Sequence, residues 1–147
     1  MYKIVTAILL CLMISKTSAA DCFEQAGRDS NIDPDLLRAI AKVESGLNHF
    51  AVGKNPGRGF GIGLMQIDSQ NFTHLKKFSI TPEMLLDPCL NIYTGAYFLR
   101  LAVNRLGYNW EAVGAYNAGF SKSHRQALRR HQYALKVRHH YHSIKRK

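Results

Sequence analysis

The chain has 147 residues, of which 46% are hydrophobic and 20% are charged. This length suits one domain, and the composition is that of a chain which can build a core, so a disordered tail is excluded. The formal net charge is +10, and no acidic residue follows Glu111, so positive charge collects at the C-terminal end. Such an end favours nucleic acid, an anionic membrane or an acidic polymer as a partner, or else faces solvent.

The first twenty residues are typical of an export signal. Lys3 precedes an apolar run over residues 4–14, and small residues follow up to Ala20, where a signal peptidase cuts. We expect residues 1–20 to be cleaved and the protein to reside in the periplasm without a stable membrane anchor. A retained anchor is the alternative, which is disfavoured because the run is too short to cross a bilayer comfortably. Exported proteins rarely meet nucleic acid, so the basic end favours a partner in the cell envelope.

Two cysteines remain after such a cleavage, since Cys11 lies within the signal. In an exported protein, Cys22 and Cys89 favour one disulfide over two free thiols. The bridge would join the new N-terminus to the middle of the domain. In the chain-entropy model it would stabilise the fold by about 4 kcal/mol.

Two Asp-Pro pairs predict the starts of two long helices. Asp33-Pro34 places a cap and a first-turn proline before a helix that runs to Glu44. Asp87-Pro88 repeats this arrangement before a helix that Gly107 ends. The apolar positions of the first helix share one face: Leu36, Leu37, Ile40 and Val43.

The remaining segments complete a mainly α pattern. Residues 110–118 predict a short helix before a glycine, and a last helix begins at Ser121 or Ser123 and runs through Val137. Between the two long helices, the glycine-rich stretch 52–63 is predicted to be a loop or a small irregular hairpin. Because we find no internal repeat and no linker, we expect one compact, mainly α domain.

The first long helix ends on a carboxylate. Glu44 follows an apolar run and stands before Ser45 and Gly46, which indicate a stop. A carboxyl group held at the end of a buried helix is costly unless it is used. The plain alternative is a carboxylate that faces water, so the interpretation depends on what the rest of the chain places around this group.

Three short segments carry the functional signal: E-S-G at 44–46, G-I-G-L-M-Q at 61–66 and A-Y-N-A-G at 115–119. Each alone has a plain structural explanation, as a helix end, a core filler or a C-cap. In this order and at these separations, they resemble the lytic transglycosylase domain (SLT domain) of the goose-lysozyme-like superfamily. The resemblance runs over nearly the whole mature chain, and more loosely over residues 133–137.

The resemblance implies a lysozyme-like single domain over residues 21–138, with a small irregular hairpin beside the active-site groove and a basic tail over 139–147. A small form with an export signal and a cysteine pair is similar to the specialised enzymes encoded beside type III secretion, type IV pilus or conjugation systems. Those enzymes open peptidoglycan so that an assembly can cross it. The implied partners are peptidoglycan glycan strands and components of such an apparatus.

The implied reaction is cleavage of the β-1,4 bond between N-acetylmuramic acid (MurNAc) and N-acetylglucosamine (GlcNAc), leaving a 1,6-anhydromuramyl end. Glu44 would protonate the leaving oxygen and then accept the proton of the sugar's own C6 hydroxyl. A glutamate at its reference pKa of about 4.3 is ionised at neutral pH, so a dry environment must raise that pKa. Ile40, Val43 and the apolar side of 61–66 would supply this environment. No cofactor is implied.

Six further positions carry over from the family as substrate-binding residues: Ser45, Met65, Gln66, Tyr116, Asn117 and Tyr133. Ser45 and Tyr116 would position the acid or the substrate, and residues 65–66 would line the groove. Asn117 would hold an N-acetyl or hydroxyl group of the sugar. Tyr133 would flank the acid from the last helix.

The sequence departs from the family pattern at two places. Gly61 stands where secretion-linked relatives often carry an aspartate, and Asp68 stands where an asparagine is usual. Asp68 is predicted to cap the helix that follows it rather than to act as a second carboxylate. We therefore expect a single-carboxylate, substrate-assisted reaction. The histidines within 139–142 are interpreted as part of a solvated tail rather than as a metal site, because no closed ligand set is visible.

Three alternatives stay open. A hydrolytic muramidase would need a second carboxylate or an ordered water and would leave reducing ends. A non-catalytic scaffold would bind peptidoglycan through its basic surface, and the intact Glu44 with its partner motifs argues against it. A nucleic-acid binder would require a retained signal and a cytoplasmic location.

Overall fold

The computed structural model describes residues 19–55, 57 and 59–147. Most of the predicted export signal, residues 1–18, lies outside the described residues. The described part contains six α-helices and a three-stranded sheet. The helices are α1 (Ala19–Ser30), α2 (Pro34–Ser45), α3 (Phe72–Leu75), α4 (Pro88–Leu106), α5 (Trp110–Ala118) and α6 (His124–Lys145), and the strands are β1 (Val52–Asn55), β2 (Gly59–Ile62) and β3 (Ile67–Asp68). The predicted mainly α fold is confirmed.

Four of the helices, α2, α4, α5 and α6, begin where a short polar side chain caps them. The carboxylate of Asp33 accepts a hydrogen bond from the backbone N–H of Asp35 at 2.9 Å. Asp87 accepts one from Leu90 in the same way, and Ser123 caps the start of α6. Because a cap depends only on residues within three positions along the chain, these starts could be predicted without the fold.

The glycine-rich stretch folds as the predicted small hairpin. β1 pairs antiparallel with β2 in a register that opposes Val52 to Ile62. The two-residue strand β3 adds to the other edge of β2, with Gly61 opposite Asp68. A strand of two residues has no alternation to detect, so the sequence contained no signal for β3.

The core lies between the long helices and one face of the sheet. Its fully buried side chains come from almost every element: Leu37, Ile40, Met65, Ile67, Leu75, Leu85, Ile92, Leu99 and Val137. Gly114 lets α5 approach α6 closely, because a Cβ at this position would meet the backbone of Arg130. On the other side, the disulfide between Cys22 and Cys89 joins α1 to α4, with the two Cα atoms 5.3 Å apart.

The basic segment 139–147, predicted to be a solvated tail, has five exposed residues out of nine, and the other four are partly buried. α6 continues to Lys145, and the hydroxyl of Tyr141 donates a hydrogen bond to Asp33 at 2.8 Å. The ammonium group of Lys145 pairs with Asp33 and with Asp35, at 2.9 and 2.8 Å. Tyr141 and Ile144 pack on the core because they continue the apolar stripe of α6.

None of the helices in the described part of the chain combines the length and the apolar character needed to cross a bilayer.

Candidate active site

Glu44 lies in the last turn of α2, at the edge of an open cleft. Gly46 follows in the left-handed conformation, with φ of 63°, and ends the helix there. The hydroxyl of Tyr133, on α6, donates a hydrogen bond to Oε1 of Glu44 at 2.6 Å. Two elements far apart in the sequence therefore fix this carboxyl group.

The pKa of Glu44 is raised from 4.5 to about 7. Burial is the main cause, because enclosure by protein disfavours the charged carboxylate. The hydrogen bond from Tyr133 acts in the opposite direction, since it stabilises the carboxylate. Burial is the stronger effect, so near neutral pH about half of the molecules carry a proton on Glu44.

The cleft beside Glu44 has a volume of about 420 Å³, which is within the range of sites for small ligands. One wall is formed by residues 66–71 after the hairpin turn, and another by α4, with Phe98 and Leu101. Residues 115–120, at the end of α5, and the first turns of α6 complete it. The lining mixes amide and charged groups with apolar side chains.

The turn between β2 and β3, residues 63–66, is held beside Glu44 by side chains from three helices. Ser45 Oγ is 2.8 Å from the carbonyl oxygen of Leu64, and the hydroxyl of Tyr116 donates to the carbonyl of Met65 at 2.7 Å. From α4, Asn91 accepts a hydrogen bond from the N–H of Met65 at 2.8 Å. The turn is thus part of a hydrogen-bonded frame around the helix end that carries Glu44.

Two of the predicted substrate-binding residues have a different position from the one expected. Met65 has an exposed fraction of 0% and packs in the core, against the backbone of Gly95, so its side chain does not line the groove. Ser45 is directed at backbone carbonyls of Ala41 and Leu64. Ser45 helps to hold the turn, because its hydroxyl satisfies the backbone carbonyl of Leu64.

The other predicted residues are brought together. Gln66, Tyr116 and Asn117 line the cleft with Glu44, and Tyr133 contacts the carboxyl group directly. The side-chain amide of Gln66 also donates to the carbonyls of Ala51 and Gly63, which fixes its direction. Asn117 is exposed.

Both tyrosine hydroxyls near Glu44 stay protonated at physiological pH. Burial raises the pKa of Tyr116 and of Tyr133 well above 10, and the nearby carboxylate of Glu44 raises both further. A neutral phenol keeps its hydrogen, so each can donate a hydrogen bond throughout the reaction. Tyr133 is therefore a permanent donor to Glu44.

Asp68 is the second acidic residue of the cleft. Its Oδ1 accepts a hydrogen bond from the backbone N–H of Gln70 at 2.8 Å, so it caps the turn of 3-10 helix over Ser69–Asn71, as predicted. Among the residues that the structure describes, no group of three His, Cys, Asp or Glu side chains could hold a metal ion.

Several cleft residues were missed by the sequence reasoning. Gln126 and Arg129 precede Tyr133 by seven and four positions on α6 and line the same cleft. Residues at these spacings share one helix face, so counting back from Tyr133 would have found them. Asn91, which holds the turn beside the cleft, was missed because a polar residue within a helix gives no sign of its distant partners.

A mainly α domain in which a protonatable glutamic acid stands at a helix end, beside a cleft of this size, has the architecture of lysozyme-like enzymes that cleave glycans. The family model for the transglycosylase SLT domain matches residues 21–138. The chain therefore belongs to the transglycosylase SLT domain family of peptidoglycan lytic transglycosylases.

Relatives of similar length support this membership. The chain is 55% identical over 138 residues to "X polypeptide" of Escherichia coli, covering 93% of this chain and 82% of that protein. It is 41% identical over 139 residues to "Invasion protein IagB" of Salmonella typhimurium strain SL1344, covering 94% of this chain and 86% of that one.

The fold is similar to that of a solved lytic transglycosylase. The 70-kDa soluble lytic transglycosylase, solved in complex with bulgecin A, superposes with a TM-score of 0.59 and 29% sequence identity. The match covers 82% of this chain but 20% of that enzyme, so the chain spans about a fifth of its length.

Proposed function

We propose that the protein cleaves the β-1,4 bond between MurNAc and GlcNAc in peptidoglycan and closes a 1,6-anhydro ring on the MurNAc. Glu44 acts first as the general acid and then as the general base. One observation carries the proposal: Glu44 lines a saccharide-sized cleft with a pKa of about 7. A carboxylic acid that is still half protonated at neutral pH can protonate a poor leaving group.

The proton begins on Oε2 of Glu44, because Oε1 already accepts the hydrogen bond from Tyr133. As the bond between C1 of MurNAc and the bridging oxygen breaks, that oxygen takes the proton and leaves with GlcNAc. The C6 hydroxyl of MurNAc then attacks C1, and its proton passes to the Glu44 carboxylate. The acid is regenerated and no water is consumed, so the reaction needs no second carboxylate.

The residues around Glu44 have separate tasks in this mechanism. Tyr133 orients the carboxyl group and stabilises it while it is ionised. Asn117 binds polar groups of the saccharide, and Gln66, whose amide is bonded to Ala51 and Gly63, shapes the wall of the cleft. Ser45 and Tyr116 support this site by holding the turn that carries Gln66.

The experiment is a digestion of purified sacculi, followed by mass spectrometry of the released fragments. Wild-type protein is expected to release fragments with 1,6-anhydromuramyl ends. Glu44→Gln is expected to lower the rate by at least about a hundredfold, because general acid–base catalysis contributes 10²–10⁴. Glu24→Gln, an exposed glutamate on α1, is the matched control and should retain the wild-type rate.

Three results would contradict the proposal. Reducing ends in place of anhydro ends would indicate a hydrolytic muramidase, with Asp68 as the candidate second carboxylate of the cleft. A Glu44→Gln protein that cuts as fast as the wild type would remove Glu44 from the chemistry, and binding without any cutting would indicate a scaffold.

We further propose that the enzyme is exported to the periplasm and opens the wall locally for a secretion system or pilus. The sequence of residues 1–20 and the resemblance to the small specialised enzymes support this role, as does the relative named as an invasion protein. N-terminal sequencing of the protein from a periplasmic fraction tests the export. A sequence that starts near Asp21 is expected, whereas one that starts at Met1 would contradict cleavage.

A further inference from the structure

Arg129 is the arginine of α6 that lines the cleft. It precedes Tyr133, the residue of α6 that contacts Glu44, by four positions. The two residues are therefore separated by one helical turn, or about 6 Å along the axis of α6. The residue is partly buried and forms part of the cleft lining. A cation is thus held one helical turn from the site of bond cleavage.

The guanidinium of Arg129 lacks an acidic partner. None of the ion pairs among the described residues includes it, and its hydrogen bond is to the amide oxygen of Gln126 at 3.3 Å. Arg130 provides the contrast, because it is buried and is bonded to Glu111 and to two backbone carbonyls. Arg130 is used by the fold, whereas most of the five N–H donors of Arg129 are free for a ligand.

Arg129 also does not contribute to the shifted pKa of Glu44. The pKa of Glu44 is set by burial and by Tyr133, with no contribution from an arginine. The other carboxylate of the cleft, Asp68, caps the backbone of Gln70. From residue 112 to the end the chain has no acidic residue, so nothing on α6 neutralises this part of the wall.

We propose that Arg129 binds a carboxylate of the peptide stem carried by the MurNAc at the cleavage site, and so selects peptidoglycan that still bears its peptides. This inference rests on the proposed function. Each MurNAc carries its stem on the lactyl group at C3, and cleavage at C1 places one such residue beside Glu44. Stem peptides carry free carboxylates, and a planar guanidinium matches a carboxylate through two parallel hydrogen bonds.

The test compares two glycan substrates of equal length: strands that keep their stem peptides, and strands from which an amidase has removed them. For wild-type protein, kcat/KM is expected to be about tenfold higher on the stem-bearing strands, because a charge-assisted hydrogen bond has this effect. Arg129→Gln should reduce this ratio about tenfold, mainly through KM. Arg125→Gln, an exposed arginine of the same helix that does not line the cleft, should leave the ratio unchanged.

Two further measurements separate recognition from support of the fold. Conversion of the stem carboxylates to methylamides should remove the preference of the wild type and leave Arg129→Gln unaffected. The alkaline limb of the pH profile should be the same in Arg129→Gln as in the wild type, since Arg129 does not set the pKa of Glu44. Equal losses on both substrates, or a wild type without a preference, would overturn the proposal.

Failure of the proposed function can be told apart from failure of this inference. If the wild type cuts neither substrate, the catalytic proposal fails. Binding of both strands to the Glu44→Gln protein, with and without Arg129→Gln, then still decides the inference. Tighter binding of the stem-bearing strand that depends on Arg129 would support it, and equal binding of the two strands would refute it.

Discussion

Glu44 is subject to two opposing influences, since enclosure by protein raises its pKa and the hydroxyl of Tyr133 lowers it. The balance near pH 7 suits the proposed role of Glu44 as general acid and then general base. The same balance makes the residue costly for stability once it ionises. Function and stability therefore conflict at this position, and both can be measured.

Glu44→Gln is expected to stabilise the protein at alkaline pH. The folded pKa of about 7 exceeds the ordinary value of 4.5, so between these pH values the folded state keeps a proton that the unfolded chain has lost. The free energy of unfolding of the wild type therefore falls as pH rises through this window. At pH 8 the variant should be more stable by up to about 3 kcal/mol, and near pH 4 the difference should vanish.

Denaturant unfolding at pH 4, 6 and 8 checks this expectation. Glu24→Gln is the matched control, because its carboxylate forms an exposed pair with Arg38 and should change the unfolding free energy little at any of these pH values. A stability difference between Glu44→Gln and the wild type that does not depend on pH would show that Glu44 titrates as an ordinary carboxyl group.

Tyr133→Phe is expected to shift the alkaline limb of the pH–rate profile to higher pH. The hydroxyl lowers the pKa of Glu44, so its removal should raise that pKa above 7 and keep the acid protonated longer. The maximal rate should fall about tenfold, because the carboxyl group loses the contact that orients it. Tyr93→Phe, which removes a hydroxyl bonded to Asp29 outside the cleft, is the control. A limb that moves to lower pH would contradict this assignment.

At the scale of elements, the turn over residues 63–66 depends on partners from α2, α4 and α5. The buried amide of Asn91 makes three hydrogen bonds, accepting from the N–H of Met65 and donating to the carbonyls of Ile62 and Leu85. These bonds connect α4 to the hairpin and to the segment before α4. The wall of the cleft is therefore built from contacts that are distant in sequence.

Asn91→Ala is expected to lower the free energy of unfolding by about 3 kcal/mol or more, because three backbone groups would lose their partners inside the protein. Asn104→Ala, an exposed asparagine of the same helix, should change it by about 0.5 kcal/mol or less. Thermal or denaturant unfolding measures both variants. Equal stability of the two would mean that the turn does not need the amide.

At the scale of the whole molecule, the disulfide between Cys22 and Cys89 joins α1 to α4. It connects residues 67 positions apart, and closing a loop of this length stabilises the fold by about 4 kcal/mol in the chain-entropy model. The paired replacement of Cys22 and Cys89 by alanine should lower the free energy of unfolding by that amount. Cleavage of glycan should persist below the unfolding transition, because neither cysteine lines the cleft.

Reductant provides the control for this prediction. It should destabilise the wild type to the level of the double variant and have no effect on the variant itself. An unfolding free energy of the wild type that is the same with and without reductant would indicate that the two thiols are not joined in the folded protein in solution.

The features that the sequence determined by itself depend on neighbouring residues. Asp33, Asp87 and Ser123 cap helices through backbone groups two or three positions away. The starts of these helices can therefore be predicted from the sequence without knowledge of the fold. The three ordered motifs identified the family for a similar reason, because their residue types and spacing are properties of the chain. The glycine-rich hairpin belongs to this group as well.

Only the tertiary structure determined which residues are buried and which residues from distant parts of the chain contact one another. The sequence predicts Met65 in the groove, whereas its side chain is in the core. Near the end of α6, Tyr141 and Lys145 contact Asp33 and Asp35 at the start of α2, although most of residues 139–147 are exposed. Arg129 lines the cleft, although no sequence motif indicated that it would. The sequence predicts a raised pKa for Glu44, but the value of about 7 depends on how deeply the folded chain buries the carboxyl group. Burial and contacts between distant parts of the chain exist only once the chain has folded, and they set both the acidity and the shape of the site.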